Sequence, residues 1–278
     1  MIPWIFLAPS LIFVSAMILL PFLDAVRRSF FSAMSHEFAG LHNYKAVLEN
    51  EAFQLAATNT ARFIAVCLPL LLFFSLAFAL MLNAFKEKRG IFKTTFLVPV
   101  AIPVASMVLL WKVIFHKNGL FNILLGGLGV GPIDWIGGSW AFGLLIITYL
   151  WKNVGYDMVL WLSGISGINS ALYESAQIDG AGGFQQLVKI TLPNLVPTFF
   201  TVTVLSILNS FKVFREAYLI AGSYPSDSIY MLQHLFNNWF LKLDVDKMCA
   251  GAVLMALVVF ALIKLLQRIW MKDGDGEL

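Results

Sequence analysis

The stretch LYESAQIDGAGGFQQLVKITLP, residues 172–193, is a polar interruption in a chain that is otherwise mostly apolar. Two helix-forming segments flank a turn that contains Asp179, Gly180 and Gly183, and glycine ends a helix at positive φ without the strain of a Cβ atom. Pro193 is expected to stop the second segment, because proline lacks an N–H donor and clashes with the preceding turn. The stretch therefore predicts a helix, a turn and a second helix.

The composition indicates a membrane protein. Of the 278 residues, 59% are hydrophobic and 13% are charged, and the mean hydropathy is +0.81. These values lie far from those of soluble globular domains and predict a polytopic membrane protein. The net charge of +3 is small and dispersed, which gives no indication of nucleic-acid binding. The two cysteines, Cys67 and Cys249, lie beside apolar runs without metal-ligand spacing, so both are predicted to be buried.

Long apolar segments predict an all-α fold of about six transmembrane helices, since about 20 apolar residues cross the hydrocarbon core. The first segment has no basic residues before it and no small-residue cleavage site after it, which argues against a signal peptide. Pro99 and Pro103 are expected to bend the third helix. No repeat divides the chain, so residues 1–278 are predicted to form a single transmembrane domain. The helices are expected at about 2–23, 57–85, 93–115, 139–165, 194–221 and 248–270.

The distribution of basic residues predicts the orientation in the membrane. Lys86, Lys88, Arg89 and Lys93 crowd a short connection, and such clusters mark the cytoplasmic side. With alternating spans, both termini and the loop at 168–193 are then also expected inside. The segments expected outside are residues 24–55, 117–138 and 222–247.

The fourth expected helix carries polar residues in its interior, namely Lys152, Asn153 and Asp157. A charge inside a span costs several kcal/mol unless it pairs or faces water. Lys152 and Asp157 either pair, line a cavity, or lie near a helix end and snorkel to the membrane surface. With Asn209 and Lys212 of the fifth helix, they are the candidate residues of a substrate pathway.

The polar stretch is similar to a known family. Glu174-Ser175-Ala176, Asp179-Gly180-Ala181 and the closing Ile-Thr-Leu-Pro of residues 190–193 resemble the EAA loop of binding-protein-dependent ABC importer permeases, in their carbohydrate-uptake form. The resemblance implies a cytoplasmic coupling helix that docks on an ATPase subunit; the alternative is an ordinary amphipathic connector. The coupling residues that it implies are Tyr173, Glu174, Ala176, Asp179, Gly180, Ala181, Leu192 and Pro193.

The match to the family pattern has two departures. Ser175 stands where the family usually has a second alanine, and Asn169 stands where a proline often precedes the loop. Elsewhere, residues 38–44 resemble the "GL-NY" segment of maltose-type permeases, so His36 and His42 are expected on the surface. Further likenesses lie at Asn122, at Asp134-Trp135, and at residues 211–225, whose ending departs from the family's glycine-rich pattern.

The sequence lacks the motif with which phosphate-loop ATPases bind nucleotide. Such a loop needs a lysine after its final glycine, and the chain contains no Gly-Lys dipeptide. ATP and Mg²⁺ are therefore expected on a separate ATPase, with no cofactor or metal bound by this chain. Neither a Gly-x-Ser-x-Gly, a His-Glu-x-x-His nor a cysteine pair of zinc spacing is present, so the chain is not expected to be an enzyme.

The resemblance implies a permease subunit that forms half of the pore of a carbohydrate importer in a bacterial inner membrane. The implied partners are a second permease subunit in a heterodimer, two ATPase subunits, an extracellular sugar-binding protein, the carbohydrate and the lipid bilayer. Two other classes remain open. An ion- or proton-coupled secondary transporter would use Lys152 and Asp157 as coupling residues, and a membrane scaffold is the third alternative.

Overall fold

The computed structural model describes residues 2–33, 37–84 and 89–271, and within them the protein is all-α, as predicted. The described residues contain no strand beyond one isolated bridge between Phe31 and Phe38. The helices in chain order are α1 (Ile2–Val14), α2 (Leu20–Arg28), α3 (His42–Leu48), α4 (Glu51–Ala84), α5 (Arg89–Ala101), α6 (Val104–Ile114), α7 (Leu120–Gly126), α8 (Ala141–Ser166), α9 (Ser170–Ile178), α10 (Gly183–Gln186), α11 (Leu192–Asn194), α12 (Val196–Ser210), α13 (Phe214–Ala221), α14 (Leu232–Leu241) and α15 (Val245–Met271).

Short turns of other helical types join some of these elements. A π turn, Ser15–Leu19, joins α1 to α2, and a second one, Leu187–Thr191, joins α10 to α11. A 3₁₀ turn, Phe211–Val213, joins α12 to α13. Three helices are longer than expected from the sequence. The first extends to Arg28, the second begins at Glu51, and the last begins at Val245.

Several helices are long and apolar enough to span a membrane. Within the described residues these are Phe6–Arg28, Glu51–Ala84, Val196–Ala221 and Val245–Trp270, and the bent pair Phe92–Ala101 and Val104–Ile114 makes a fifth if it counts as one span. At 26 residues α8 is also long enough, but its interior Lys, Asn and Asp lower its hydropathy. The polytopic architecture is confirmed.

The third expected helix, at 93–115, is broken rather than gently bent. The helices α5 and α6 meet at an angle of 92°. Ile102 and Pro103 interrupt them, and Pro103 has an extended backbone with a ψ of 137°. Proline disfavours the helical conformation of the residue before it, which accounts for the break at Ile102, whereas Pro99 is accommodated inside α5.

The chain divides into two compact units, one of Met1–Ala57 with Met231–Leu262 and the other of Thr58–Tyr230 with Ile263–Leu278. In the first unit, Asn43 donates hydrogen bonds from Nδ2 to the carbonyl oxygens of Ser29 at 3.0 Å and Phe31 at 2.9 Å. The hydroxyl of Tyr44 lies 2.6 Å from that of Ser29. The Asn-Tyr pair of the "GL-NY" segment thus holds the end of the first long helix.

The predicted surface and buried residues can be compared with the structure. His42 is exposed, as predicted, whereas His36 lies outside the described residues. Both cysteines are free and buried, as predicted. Two of the four basic residues that set the orientation, Lys86 and Lys88, likewise lie outside the described part of the chain.

The core of the second unit lies between α4, α8 and α12. Met158 and Trp161 of α8 pack with Leu82 of α4 and Val202 of α12, all with no exposed surface. Trp161 also donates a hydrogen bond from Nε1 to the hydroxyl of Ser75 on α4, at 3.0 Å. An indole that is both packed and hydrogen-bonded fixes the position of α8.

Small residues allow α8 to approach its neighbours closely. A Cβ atom at Gly155 would collide with the backbone carbonyl of Phe96 on α5, and a Cβ at Gly164 would collide with the side chain of Thr198 on α12. Close helix approach at small residues is the usual way in which membrane helices associate. These close approaches fix the position of α8, which carries the polar interior residues, against α5 and α12.

Candidate functional site

The first half of the polar loop is the helix α9, and both of its ends have defined caps. The side chain of Asn169 accepts a hydrogen bond from the backbone N–H of Ala171 at 3.0 Å, which makes Asn169 the N-cap. At the other end, Gly180 has a φ of +80°, and the N–H of Ala181 bonds the carbonyl of Ala176 at 2.8 Å. The C-terminal end is a Schellman motif, in which Gly180 occupies the position that favours glycine. At the N-terminal end, Asn169, which departs from the family pattern, still caps the helix.

The predicted coupling residues differ in what their side chains do. Glu174 and Asp179 are exposed, and Ala176 and Ala181 are half-buried. Tyr173 is half-buried, and its hydroxyl lies 2.9 Å from the hydroxyl of Thr191. Tyr173 therefore ties α9 to the second half of the loop, whereas the two carboxylates are free to meet another protein.

The second half of the loop runs on past Pro193, so the prediction that Pro193 stops this segment is wrong. Pro193 lies within α11, and a single turn residue, Leu195, separates α11 from α12. The preceding π turn bonds the N–H of Leu192 to the carbonyl of Leu187, five residues back. The wider turn accommodates the missing donor of proline, and the side chain of Asn194 caps the carbonyl of Ile190 at 2.7 Å. Leu192 and Pro193 are both exposed.

Two exposed apolar side chains in the loop were missed by the sequence analysis. Ile178 is 87% exposed and Phe184 is 78% exposed, and they flank the turn at Gly180. Their signal in the sequence was the presence of large apolar residues on either side of a glycine-rich turn. Exposed apolar area on an otherwise polar loop makes these two side chains candidates for contact with a partner.

The second candidate region is formed by α8, α12 and α13, where a buried ion pair crosses between helices. Lys152 Nζ lies 3.2 Å from Glu216 Oε1, and the two side chains are only 12% and 5% exposed. Lys152 was predicted from the sequence as a candidate site residue, whereas Glu216 was not. Its signal was weak, because Glu216 lies 64 residues further along the chain, near the end of the expected helix at 194–221.

Asp157 does not pair with Lys152, which removes one of the alternatives raised from the sequence. Its Oδ2 accepts a hydrogen bond from the hydroxyl of Ser206 at 2.6 Å, and Asp157 is 1% exposed. Residues five apart on a helix point about 140° away from one another. Lys152 and Asp157 therefore face different neighbours, and neither lies at an end of α8 where it would snorkel.

A cavity of about 530 Å³ opens beside the ion pair. Lys152 and Asn153 line it from α8, Asn209 and Lys212 line it from α12 and the 3₁₀ turn, and Asp157 does not reach it. Arg215 and Glu216 of α13 are also part of its wall, with Tyr149, Tyr156 and residues 100–104. Four of the five predicted pathway residues thus share one cavity.

Hydrogen bonds orient the amides of this wall. Asn153 donates from Nδ2 to the carbonyl of Tyr149 at 2.8 Å. Lys212 donates from Nζ to Oδ1 of Asn209 at 2.7 Å. The wall therefore presents amides, ammonium groups, a guanidinium group and phenols, which suit hydrogen bonds to hydroxyl and carboxylate groups. Among the described residues, no group of three His, Cys, Asp or Glu side chains is placed to hold a metal ion.

Comparison with known proteins identifies related chains. Residues 71–272 match the family described as "Binding-protein-dependent transport system inner membrane component". The chain is 30% identical to the probable ABC transporter permease protein YurN of Bacillus subtilis (strain 168), over 99% of this chain and 98% of that protein. It is 31% identical to the trehalose/maltose transport system permease protein MalF of Thermococcus litoralis, over 85% of this chain and 82% of that protein.

A solved structure has a similar fold. It is the crystal structure of a bacterial ABC transporter involved in the import of the acidic polysaccharide alginate, with a TM-score of 0.85 and 23% sequence identity. The match covers 98% of this chain and 95% of that chain.

Proposed function

Because the chain belongs to the family of binding-protein-dependent transport system inner membrane components, we propose that it is the permease subunit of an ATP-driven carbohydrate importer and forms half of its pore. The observation that carries the proposal is the loop of residues 168–193, a capped helix, a glycine turn and a second helix between α8 and α12. The sugar named for the trehalose/maltose relative supports carbohydrate as the cargo. No observation favours the secondary transporter or the scaffold.

In this proposal the loop is the contact with a separate ATPase subunit. Glu174 and Asp179 offer charge on its surface, and Ile178 and Phe184 offer apolar area. Tyr173 contributes by holding the two halves of the loop together at Thr191. A small apolar centre with a charged rim is the usual composition of a specific protein–protein contact.

Transport would follow from alternating access between two states of the helices. ATP binding closes the two ATPase subunits, the loop moves with them, and α12 carries that motion to the cavity. The second permease subunit supplies the other half of the pore, and an extracellular binding protein delivers the sugar. Residues 1–278 act as one transmembrane domain, since two of the three boundaries between the compact units fall inside the helices α4 and α15.

The cavity beside the Lys152–Glu216 pair is proposed as part of the sugar pathway. Asn153, Asn209 and Lys212 contribute polar groups that match sugar hydroxyls. Asp157 has a different role, because its bond to Ser206 holds α8 against α12 outside the cavity. The chain itself is not proposed to catalyse a reaction.

Purification of the native complex tests the function. An affinity tag on this chain is expected to bring down a second permease and an ATPase whose hydrolysis depends on the assembled complex. Glu174→Lys, which reverses an exposed charge of the loop, is expected to lower the recovery of ATPase while the amount of membrane-inserted permease stays constant. Recovery of this chain without any ATPase in the wild type would contradict the proposal.

The orientation is proposed with both termini and the loop at 168–193 in the cytoplasm. It is tested by single cysteines in a background without Cys67 and Cys249, labelled in intact cells with an impermeant thiol reagent. Lys45 and Asp227 are exposed positions that are expected to label. Cysteines at Lys88 and at Gln186 are expected to stay unlabelled until the cells are opened. Labelling of the last two in intact cells would invert the orientation.

A further inference from the structure

The cavity in the second unit carries an excess of positive charge. Its charged lining residues are Lys152, Lys212, Arg215 and Glu216, which sum to a net charge of +2. Glu216, the acidic side chain in this lining, is already paired with Lys152 at 3.2 Å. The remaining excess comes from Lys212 and Arg215.

Within the part of the chain that the structure describes, these two cations lack an acidic partner. Lys212 Nζ is bound to Asn209 Oδ1, which is a neutral amide. Asp157 is not available to either, because it is buried away from the cavity and accepts the hydrogen bond of Ser206. A lysine and an arginine three residues apart on helical backbone lie on the same side of that segment. The positive charges of Lys212 and Arg215 therefore both lie in the lining of this cavity.

A cation inside a membrane protein is stabilised by water, by pairing or by an anion that binds there. The ion pair at Lys152 shows that this wall supplies a carboxylate where a charge is to be neutralised within the protein. Lys212 and Arg215 are exposed side chains in the lining of the cavity, and the described residues supply no carboxylate to either of them. Arginine and lysine together are the usual recognition elements for carboxylate, sulfonate and phosphate groups.

We propose that the cargo crossing this cavity is an acidic saccharide, held through its negative group by Lys212 and Arg215. The inference rests on the proposed function and adds the charge of the substrate to it. The hydroxyl groups of such a saccharide also find partners in this wall. Asn153 and Asn209 line the same cavity and carry amide groups that suit hydrogen bonds to saccharide hydroxyl groups.

The charge of the transported saccharide can be determined directly by an uptake experiment. Cells with the intact importer, and the same cells lacking this chain, receive a mixture of two pools of labelled saccharides. The acidic pool contains oligogalacturonides, alginate oligosaccharides and sugar phosphates, and the neutral pool contains maltooligosaccharides and xylooligosaccharides. Anion-exchange chromatography of the medium then measures what each strain removes. Depletion of the acidic pool alone, dependent on this chain, is expected.

Depletion of the neutral pool, or of neither pool, would overturn the inference. The proposed function fails separately, when no ATPase is recovered with the tagged chain. If ATPase is recovered and neutral saccharides are depleted, the importer function stands and the acidic cargo is excluded.

The residues are tested by removing their charge. Lys212→Gln with Arg215→Gln is expected to raise the half-saturation concentration for the acidic cargo at least tenfold, the scale of one lost charge-assisted hydrogen bond. Arg215→Lys is expected to retain most of the affinity. Lys117→Gln, which neutralises an exposed cation away from the cavity, is the matched control and is expected to change nothing. An unchanged half-saturation concentration in the double variant, with normal abundance, would remove the assignment.

Discussion

In the loop of residues 168–193 the carboxylates of Glu174 and Asp179 are exposed, whereas in the membrane region the carboxylate of Glu216 is buried against Lys152 at 3.2 Å. The loop is stabilised by the caps of α9 and by the hydroxyl pair of Tyr173 and Thr191, and these interactions do not involve its two carboxylates. The buried wall uses its charges to hold helices together. Substitutions in the loop are therefore expected to alter contacts with partners, and substitutions in the wall to alter the fold of the chain itself.

The largest effect is expected from breaking the buried ion pair. Lys152→Met leaves Glu216 buried without its cation, and such losses cost about 3–5 kcal/mol. The expected result is a strongly reduced yield of folded protein by size-exclusion chromatography and a lower thermal midpoint in nanodiscs.

Joining Glu216→Leu to Lys152→Met is expected to restore much of that stability, because an apolar pair replaces the ionic one. Lys152→Met combined with Asp157→Leu is the control and is expected to restore nothing, since Asp157 bonds Ser206 instead. Rescue by Asp157→Leu would show that the assignment of partners is wrong.

The next effect is expected at the turn of the loop. Gly180 has a φ of +80°, and a β-branched residue there is strained by about 1–3 kcal/mol. Gly180→Val is expected to disorder the end of α9, lowering uptake and ATPase recovery while the chain remains inserted in the membrane. Gly182→Val is the matched control, because Gly182 has a φ of −69° and open space around an added Cβ. Equal losses in the two variants would mean that the conformation at 180 is not the cause.

A smaller effect is expected from the exposed apolar pair. Ile178→Ala and Phe184→Ala each remove area from the proposed contact and are expected to weaken ATPase binding by about 1–2 kcal/mol, with the stability of the isolated chain unchanged. Leu128→Ala is the control, since Leu128 is 79% exposed but lies in a segment expected on the other side of the membrane. Titration of ATPase onto permease in nanodiscs measures all three. Wild-type affinity in both loop variants would remove these side chains from the interface.

The smallest effect is expected from the hydroxyl pair. Tyr173→Phe removes the bond to Thr191 and keeps the ring, so the loop is expected to lose about 0.5–1.5 kcal/mol of local stability. Hydrogen exchange of the amides in α9 is expected to speed up while thermal unfolding of the whole chain shifts little. Tyr156→Phe is the control, with no expected change in α9. A large global destabilisation would place Tyr173 in the core rather than in the loop.

The two regions also differ in how far they were predictable from the sequence. The loop is encoded locally, and turn chemistry predicted the helix end at Gly180. The N-cap at Asn169 is equally local, since it bonds the N–H of Ala171, but from the sequence Asn169 was noted only as a departure from the family pattern. The error at Pro193 arose because a π turn shifts the bonding register, which residue types do not reveal. The helices were predicted from apolar runs, but the bend expected at Pro99 and Pro103 proved to be a single 92° break between α5 and α6.

The buried wall was predicted only in part, because its contacts join distant parts of the chain. Lys152 was recognisable as a charge inside an apolar run. Its partner Glu216 was not recognisable, because any acidic residue on a neighbouring helix could pair with Lys152 and Asp157 was nearer in the sequence. The choice of Glu216 is fixed by the packing of α8, where Trp161 and the glycines that approach α5 and α12 set the rotation of the helix.

The segment from Gly183 to Ala221 has a mechanical consequence. It leaves the helical classes only at Leu195, and it carries loop residues at one end and Asn209 and Lys212 near the other, about 40 Å away along the helix contour. Leu195 is 2% exposed and belongs to the core cluster with Trp161. A displacement of the loop is therefore expected to tilt the segment about the buried Leu195 and to move Asn209 and Lys212 at the cavity.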